Sequence, residues 1–142
     1  MKRISSLLLV FITVFSILSC ENEIEKEKIE SPLKLSKEYV NYVSAYTSGV
    51  INRNSPIKFI FNKAVEYPYE VGKELPGDVF SITPKVDGLI MLEDQYTLVF
   101  RPEKPLSSST VLSGHVNLKK LLKAGSELDK FLFKIYTLQQ YS

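Results

Sequence analysis

The sequence predicts an all-β domain, an antiparallel sandwich of about seven short strands, and three observations predict it. Past Pro32 the chain consists of short runs of β-branched and aromatic residues broken by Pro, Gly, Asn and Asp, the texture of strands and turns. Within these runs apolar residues alternate, as in Ile57, Phe59 and Phe61, or Leu98 and Phe100, or Phe131, Phe133 and Ile135. Alternation places each set on one face of a strand and marks it for the core. Finally, residues 20–142 are enough for one domain with a real core and too few for two.

The first element is residues 1–19, which read as a lipoprotein signal peptide. Lys2 and Arg3 form a positive start, Ile4 to Leu18 is mostly apolar, and the run closes as Ile17-Leu18-Ser19-Cys20, which resembles a lipobox. Small Ser19 lets a signal peptidase reach the bond before Cys20, and the Cys20 thiol is the group that a diacylglycerol alkylates. A plain membrane-spanning anchor fits poorly. The apolar run is about fifteen residues long and is interrupted by Ser5, Ser6, Thr13 and Ser16, whereas a span needs roughly twenty apolar residues. With each buried CH₂ contributing about 0.8 kcal/mol, two or more acyl chains make attachment stable. The expected place is the cell envelope, with the protein held to a membrane through its N-terminal lipid.

Residues 20–38 are the lipidated cysteine and a charged tether. Glu21 to Glu30 carries charge at most positions and little that a core would bury, as in a solvated spacer. The acids Glu21, Glu23, Glu25 and Glu27 loosely resemble the acidic stretch that sorts Bacteroidetes lipoproteins to the cell surface. Losing Lys2 and Arg3 from the 18 basic residues balances the mature chain against its 16 acids, so no basic excess remains to bind nucleic acid. Cys20 is the sole cysteine, and assigning it to lipid excludes an internal disulfide or a thiolate metal cluster.

The domain itself spans residues 39–142. Its expected strands are residues 39–51, interrupted at Ser48-Gly49, then 57–61, 79–83, 89–92, 97–101, 111–116 and 131–138. Seven is the usual number for an immunoglobulin-like sandwich. Pro56, Pro84 and Pro102 stand at run edges, where a missing N–H does little harm. Between the last two strands, Leu118, Leu121 and Leu122 at i, i+3 and i+4 predict one or two helical turns over 117–125, with Gly125 as the stop. So short a basic amphipathic segment does not bind membrane alone, and its expected job is to cap the open end of the sandwich.

No residue is assigned to catalysis, to a cofactor or to a metal. His115 is the only histidine, so no second imidazole completes a zinc pair. A nucleophilic pairing with Ser113 would also need an orienting acid, and the plainer expectation is a solvent-facing or edge residue. Glu93 and Asp94 sit between two strands, where a hairpin uses such side chains to satisfy its own backbone. Ser107 to Thr110 reads as a polar loop, and no glycine-rich phosphate cradle is present.

Several segments are similar to one family. Ser44-Ala-Tyr-Thr-Ser-Gly-Val-Ile-Asn-Arg53 followed by Ser55 to Phe61 resembles the opening of the mature part of alpha-2-macroglobulin family lipoproteins of the Bacteroidetes. Phe80-Ser-Ile-Thr-Pro84 with Gly88, then Gln95 to Pro102, Pro105-Leu106 with Thr110, and Phe131-Leu-Phe133 continue the resemblance in order, over about residues 40–138. The same skeleton occurs in bacterial immunoglobulin-like modules of surface-layer and adhesive proteins, and Tyr46 to Ile51 is what favours the macroglobulins. Val111-Leu112 departs from the family, which usually shows a tyrosine two residues after the threonine. Its protease inhibitors are also long chains with many macroglobulin-like domains, a bait region and often a thioester cysteine.

The resemblance therefore implies a single macroglobulin-like sandwich, the N-terminal domain alone, with no protease trapping by the family's mechanism. The expected role is non-catalytic: tethering or spacing, with further macroglobulin domains or an envelope protein as partners. The alternative is an envelope binding or adhesion module for a peptide, protein or glycan, using exposed aromatics such as Tyr39, Tyr42, Tyr67, Tyr69 and Tyr96 or a free sheet edge.

Overall fold

The computed structural model describes residues 39–124 and 128–139. The signal peptide, Cys20 and the tether lie outside the described residues, as does Gly125. A 3-10 turn at Tyr39–Asn41 leads into eight strands: β1 (Val43–Tyr46), β2 (Gly49–Ile51), β3 (Ile57–Phe61), β4 (Phe80–Thr83), β5 (Gly88–Asp94), β6 (Thr97–Pro102), β7 (Val111–Asn117) and β8 (Lys130–Thr137). One short helix, α1 (Leu118–Leu122), joins β7 to β8.

The strands form two four-stranded sheets, ordered β1-β3-β6-β5 and β2-β8-β7-β4. All neighbours are antiparallel except β2 and β8, which pair in parallel from Gly49↔Ile135 to Ile51↔Thr137. These orders match A-B-E-D packed against C-F-G, with the first strand divided between the sheets, so the fold is an immunoglobulin-like sandwich. The expected seven strands become eight because residues 39–51 supply a 3-10 turn and then two strands in different sheets. The break falls at Gly49, whose φ of 72° is open to glycine at no steric cost and lets the chain step from one sheet to the other.

The core lies between the sheets. Ile57, Phe59, Phe61, Leu98, Phe100, Phe131, Phe133 and Ile135 are all buried, as their alternation predicts. Phe59 touches Phe80, Phe131 and Phe133 edge-to-face at centroid distances of 6.2, 6.1 and 5.1 Å. Such pairs each contribute about 0.5–1.5 kcal/mol beyond burial. The helical turn closes one end of this core. Asn117 caps it by accepting a hydrogen bond from the Lys120 amide at 3.1 Å, Leu118 and Leu121 are buried, and Lys119 and Lys120 face water. Lys123, left-handed at φ 51°, ends the helix.

The two outer faces differ. On the first sheet Lys58 of β3 and Glu93 of β5 meet at 2.6 Å across the intervening β6, and Arg101 adds a contact to Glu93 at 3.2 Å. Beneath this bridge Val99, which points outward, is completely buried. Charged heads in water with stems over an apolar residue are an ordinary way to cover a sheet face. On the second sheet Val50, Tyr136 and Val111 stand in one cross-strand row with both valines exposed, and among the described residues no such bridge covers them.

Candidate functional site

Two poles organise the surface, and β8 measures the distance between them. At one pole the chain enters: the Tyr39 hydroxyl donates to the Lys130 carbonyl at 3.0 Å, and its ring edge meets Phe131 at 5.6 Å. The Asn62 amide donates to the Tyr42 carbonyl, Val65 to Gln95 and Leu118 to Asp129, which ties the segment after β3, the β5–β6 turn and the start of β8 to the same end. At the other pole Leu138 donates to Ile51, and Leu106 to Arg53. Lys130 and Thr137 are seven steps apart along β8, or roughly 23 Å at about 3.3 Å per residue. Tyr39 and Leu138 thus lie at opposite ends of the sandwich.

At the entry pole the segment after β3, the Tyr96 turn and α1 enclose a cleft of about 390 Å³. Tyr67 and Tyr96 stand on it, 85% and 48% exposed. Its charged lining is Lys63, Lys120 and Lys123 against the single acid Glu66. Lys120 pairs with Asp78, Lys123 lies 3.7 Å from Glu66, and the Lys63 ammonium sits 5.0 Å over the Tyr42 ring. Of the aromatics expected at the surface, Tyr67 and Tyr96 are there. Tyr39, Tyr42 and Tyr69 are instead half-buried against the core, because the open end of the sandwich needs apolar cover.

The other singled-out residues are structural in their contacts. The Asp94 carboxylate accepts from the Tyr96 amide at 2.7 Å, completing its own turn, and that bond is the first cause holding its pKa below the usual carboxylate value, followed by a bond from Thr97. Glu93 belongs to β5 and holds Lys58 and Arg101. The loop Ser107–Thr110 clasps the end of β8. The buried Thr137 hydroxyl donates to the Ser107 carbonyl at 2.6 Å and accepts from the Thr110 amide at 2.8 Å, and the Ser108 hydroxyl donates to Leu138 at 3.2 Å.

His115 is half-buried on the outer face of β7, opposite Ser81 and Leu132. It is not an edge residue, since β7 runs between β4 and β8. Loss of water lowers its pKa, and the nearby Lys130 lowers it further. Ser113 shares its face two residues away, but the charge acting on the imidazole is a cation rather than an orienting acid. Among the described residues no three His, Cys, Asp or Glu side chains are placed to hold one metal ion, and no helix is long and apolar enough to cross a membrane.

No family model matches this chain, and no curated protein matches it. Among solved structures, an L,D-transpeptidase from Mycobacterium smegmatis is similar over 68% of this chain and 39% of its own, at 12% identity and a TM-score of 0.48. L,D-transpeptidase 3 from Mycobacterium tuberculosis, in complex with a faropenem-derived adduct, is similar over 70% and 39%, at 12% identity and a TM-score of 0.45. A further L,D-transpeptidase from Mycobacterium tuberculosis H37Rv covers 68% and 40%, at 13% identity and 0.44. This chain thus spans about two fifths of the length of the solved proteins to which it is similar.

Proposed function

We propose that this protein is a non-catalytic, lipid-anchored envelope domain that acts as a tether and spacer, the part that the resemblance to alpha-2-macroglobulin lipoproteins assigns to their membrane-proximal first domain. The observation that carries the reading is the polarity of the sandwich. Tyr39 lies beside Lys130 and Leu138 lies just past Thr137, so the two ends of the described body stand roughly 23 Å apart along β8, which supports a body that adds reach. A spacer needs that arrangement, whereas a domain hung on the membrane as a terminal ornament does not. The charge acting on the half-buried His115 is the Lys130 cation, which supports leaving hydrolytic chemistry out of the proposal.

The test is fractionation of the full chain from a bacterial host that processes lipoproteins. Wild type partitions with membranes and shows a mature N-terminus at Cys20 bearing acyl chains by intact-mass spectrometry. Cys20→Ala stays unprocessed or is released. A free thiol at Cys20 in the native host overturns the anchor.

A further inference from the structure

We infer that the cleft at the entry pole is a binding site for a negatively charged glycan, such as one built from uronic acids. Tyr67 is 85% exposed and contributes little to the core. It stands on the same cleft as Tyr96, and the cleft's 390 Å³ falls within the roughly 300–1,000 Å³ of ordinary ligand sites. Two exposed rings offer flat apolar platforms, and the three lining lysines, with Lys120 paired to Asp78 and Lys123 facing Glu66, still leave the cleft a net positive charge that attracts a carboxylate or sulfate.

The recognition mode follows from what the backbone has already used. The Asn62 amide is bonded to Tyr42 and the Val65 amide to Gln95, so this segment offers rings and ammonium groups in place of a free strand edge for a peptide. One charged contact at the rim is adjustable. The Lys123–Glu66 pair is 3.7 Å long with both side chains about three quarters exposed, and pairs of this kind contribute little, so an incoming anion displaces Glu66 from Lys123 at small cost. Glu66 is then the one lining group that opposes the ligand. Its removal makes a signed prediction that a purely structural role does not.

The experiment titrates the full-length chain, held in detergent and lipidated or not, with polygalacturonate oligomers. Maltoheptaose serves as the neutral control and poly-glutamate as the non-sugar anion. The site predicts salt-sensitive binding of the uronate, about tenfold weaker binding in Tyr67→Ala, and binding a few-fold tighter in Glu66→Gln, with unchanged melting in both exposed-site variants. Four results each overturn it: no binding of the uronate, equal binding of maltoheptaose, equal binding of poly-glutamate, or indifference to Tyr67→Ala. Membrane partition in the Cys20 experiment is independent of all four, so failure of the cleft and failure of the anchor are read separately.

Discussion

Phe80 of β4 stacks on Phe100 of β6 with ring centroids 4.9 Å apart and planes 22° from parallel, a contact that joins the two sheets through the middle of the core. Phe80 also stacks on Phe133 at 5.6 Å, so Phe100 sits at the end of a three-ring column. Phe100→Ala removes a ring that is 4% exposed and opens a cavity that its aromatic neighbours fill only partly. The expected loss is about 3–5 kcal/mol, read from the denaturant midpoint at constant slope. A midpoint within experimental error of wild type would show that this column does not hold the sheets together.

Gly114 of β7 faces the core where the backbone of β4 comes close. A Cβ there would overlap the Ser81 carbonyl oxygen and lie 2.8 Å from the ζ carbon of Phe133. Ser81 is a paired strand residue and cannot swing aside as a long side chain does. Gly114→Ala should therefore cost as much as the upper part of the usual overpacking range, about 1–3 kcal/mol, despite adding one methyl group. At Gly77 an added Cβ meets nothing within 4 Å, and Gly77→Ala measured alongside should change stability far less.

Thr137 is a buried hydroxyl with both its donor and acceptor sides used by the Ser107–Thr110 loop. Thr137→Val keeps the shape and leaves the Ser107 carbonyl and Thr110 amide without that partner. The expected cost is about 1–3 kcal/mol, with faster amide hydrogen exchange at Thr110 as the local signature. Exchange at Thr110 that matches wild type would mean the loop is held by other contacts.

His115 predicts a pH dependence whose sign follows from its lowered pKa. In the unfolded chain the imidazole titrates near its ordinary value of 6.5, and in the fold, where burial and then Lys130 disfavour the proton, it titrates lower. The unfolded state therefore binds more protons in the window just below 6.5. Stability is full above 6.5 and falls as the pH drops from there to the folded pKa. His115→Gln should flatten that part of the stability profile, and an NMR titration of wild type should place the imidazole below 6.5. A folded value above 6.5 reverses the sign and refutes the account.

If the chain acts by contact and tethering, it should not protect a large protein substrate from broad-specificity endoproteases at stoichiometric levels. Trapping requires a cleavable segment whose scission closes a multi-domain shell, a stored-strain device that one sandwich does not supply. Dose-dependent protection beyond simple competition by a digested domain would defeat the spacer reading.

Local pattern alone determined most of the elements. Alternation in Ile57–Phe61 and Phe131–Ile135 marks the strands and their buried faces, because period two is a property of the extended chain itself. The i, i+3, i+4 leucines mark the helical turn for the same kind of reason, and Asn117 at its start supplies the cap. Paired assignments at a distance are a different matter. That residues 43–51 divide between two sheets is decided by β3 on one side and β8 on the other, partners far along the chain whose burial no local window measures. Val99 is buried on an outward face between its cross-strand neighbours Lys58 and Met91, and Gly114 is required only because β4 lies against it. The cleft likewise joins Tyr67, Tyr96 and Lys123 from three separate segments, so it exists only once the sandwich has closed. Periodicity is written residue by residue, whereas these contacts arise from which surfaces bury each other, and that is settled by the whole chain at once.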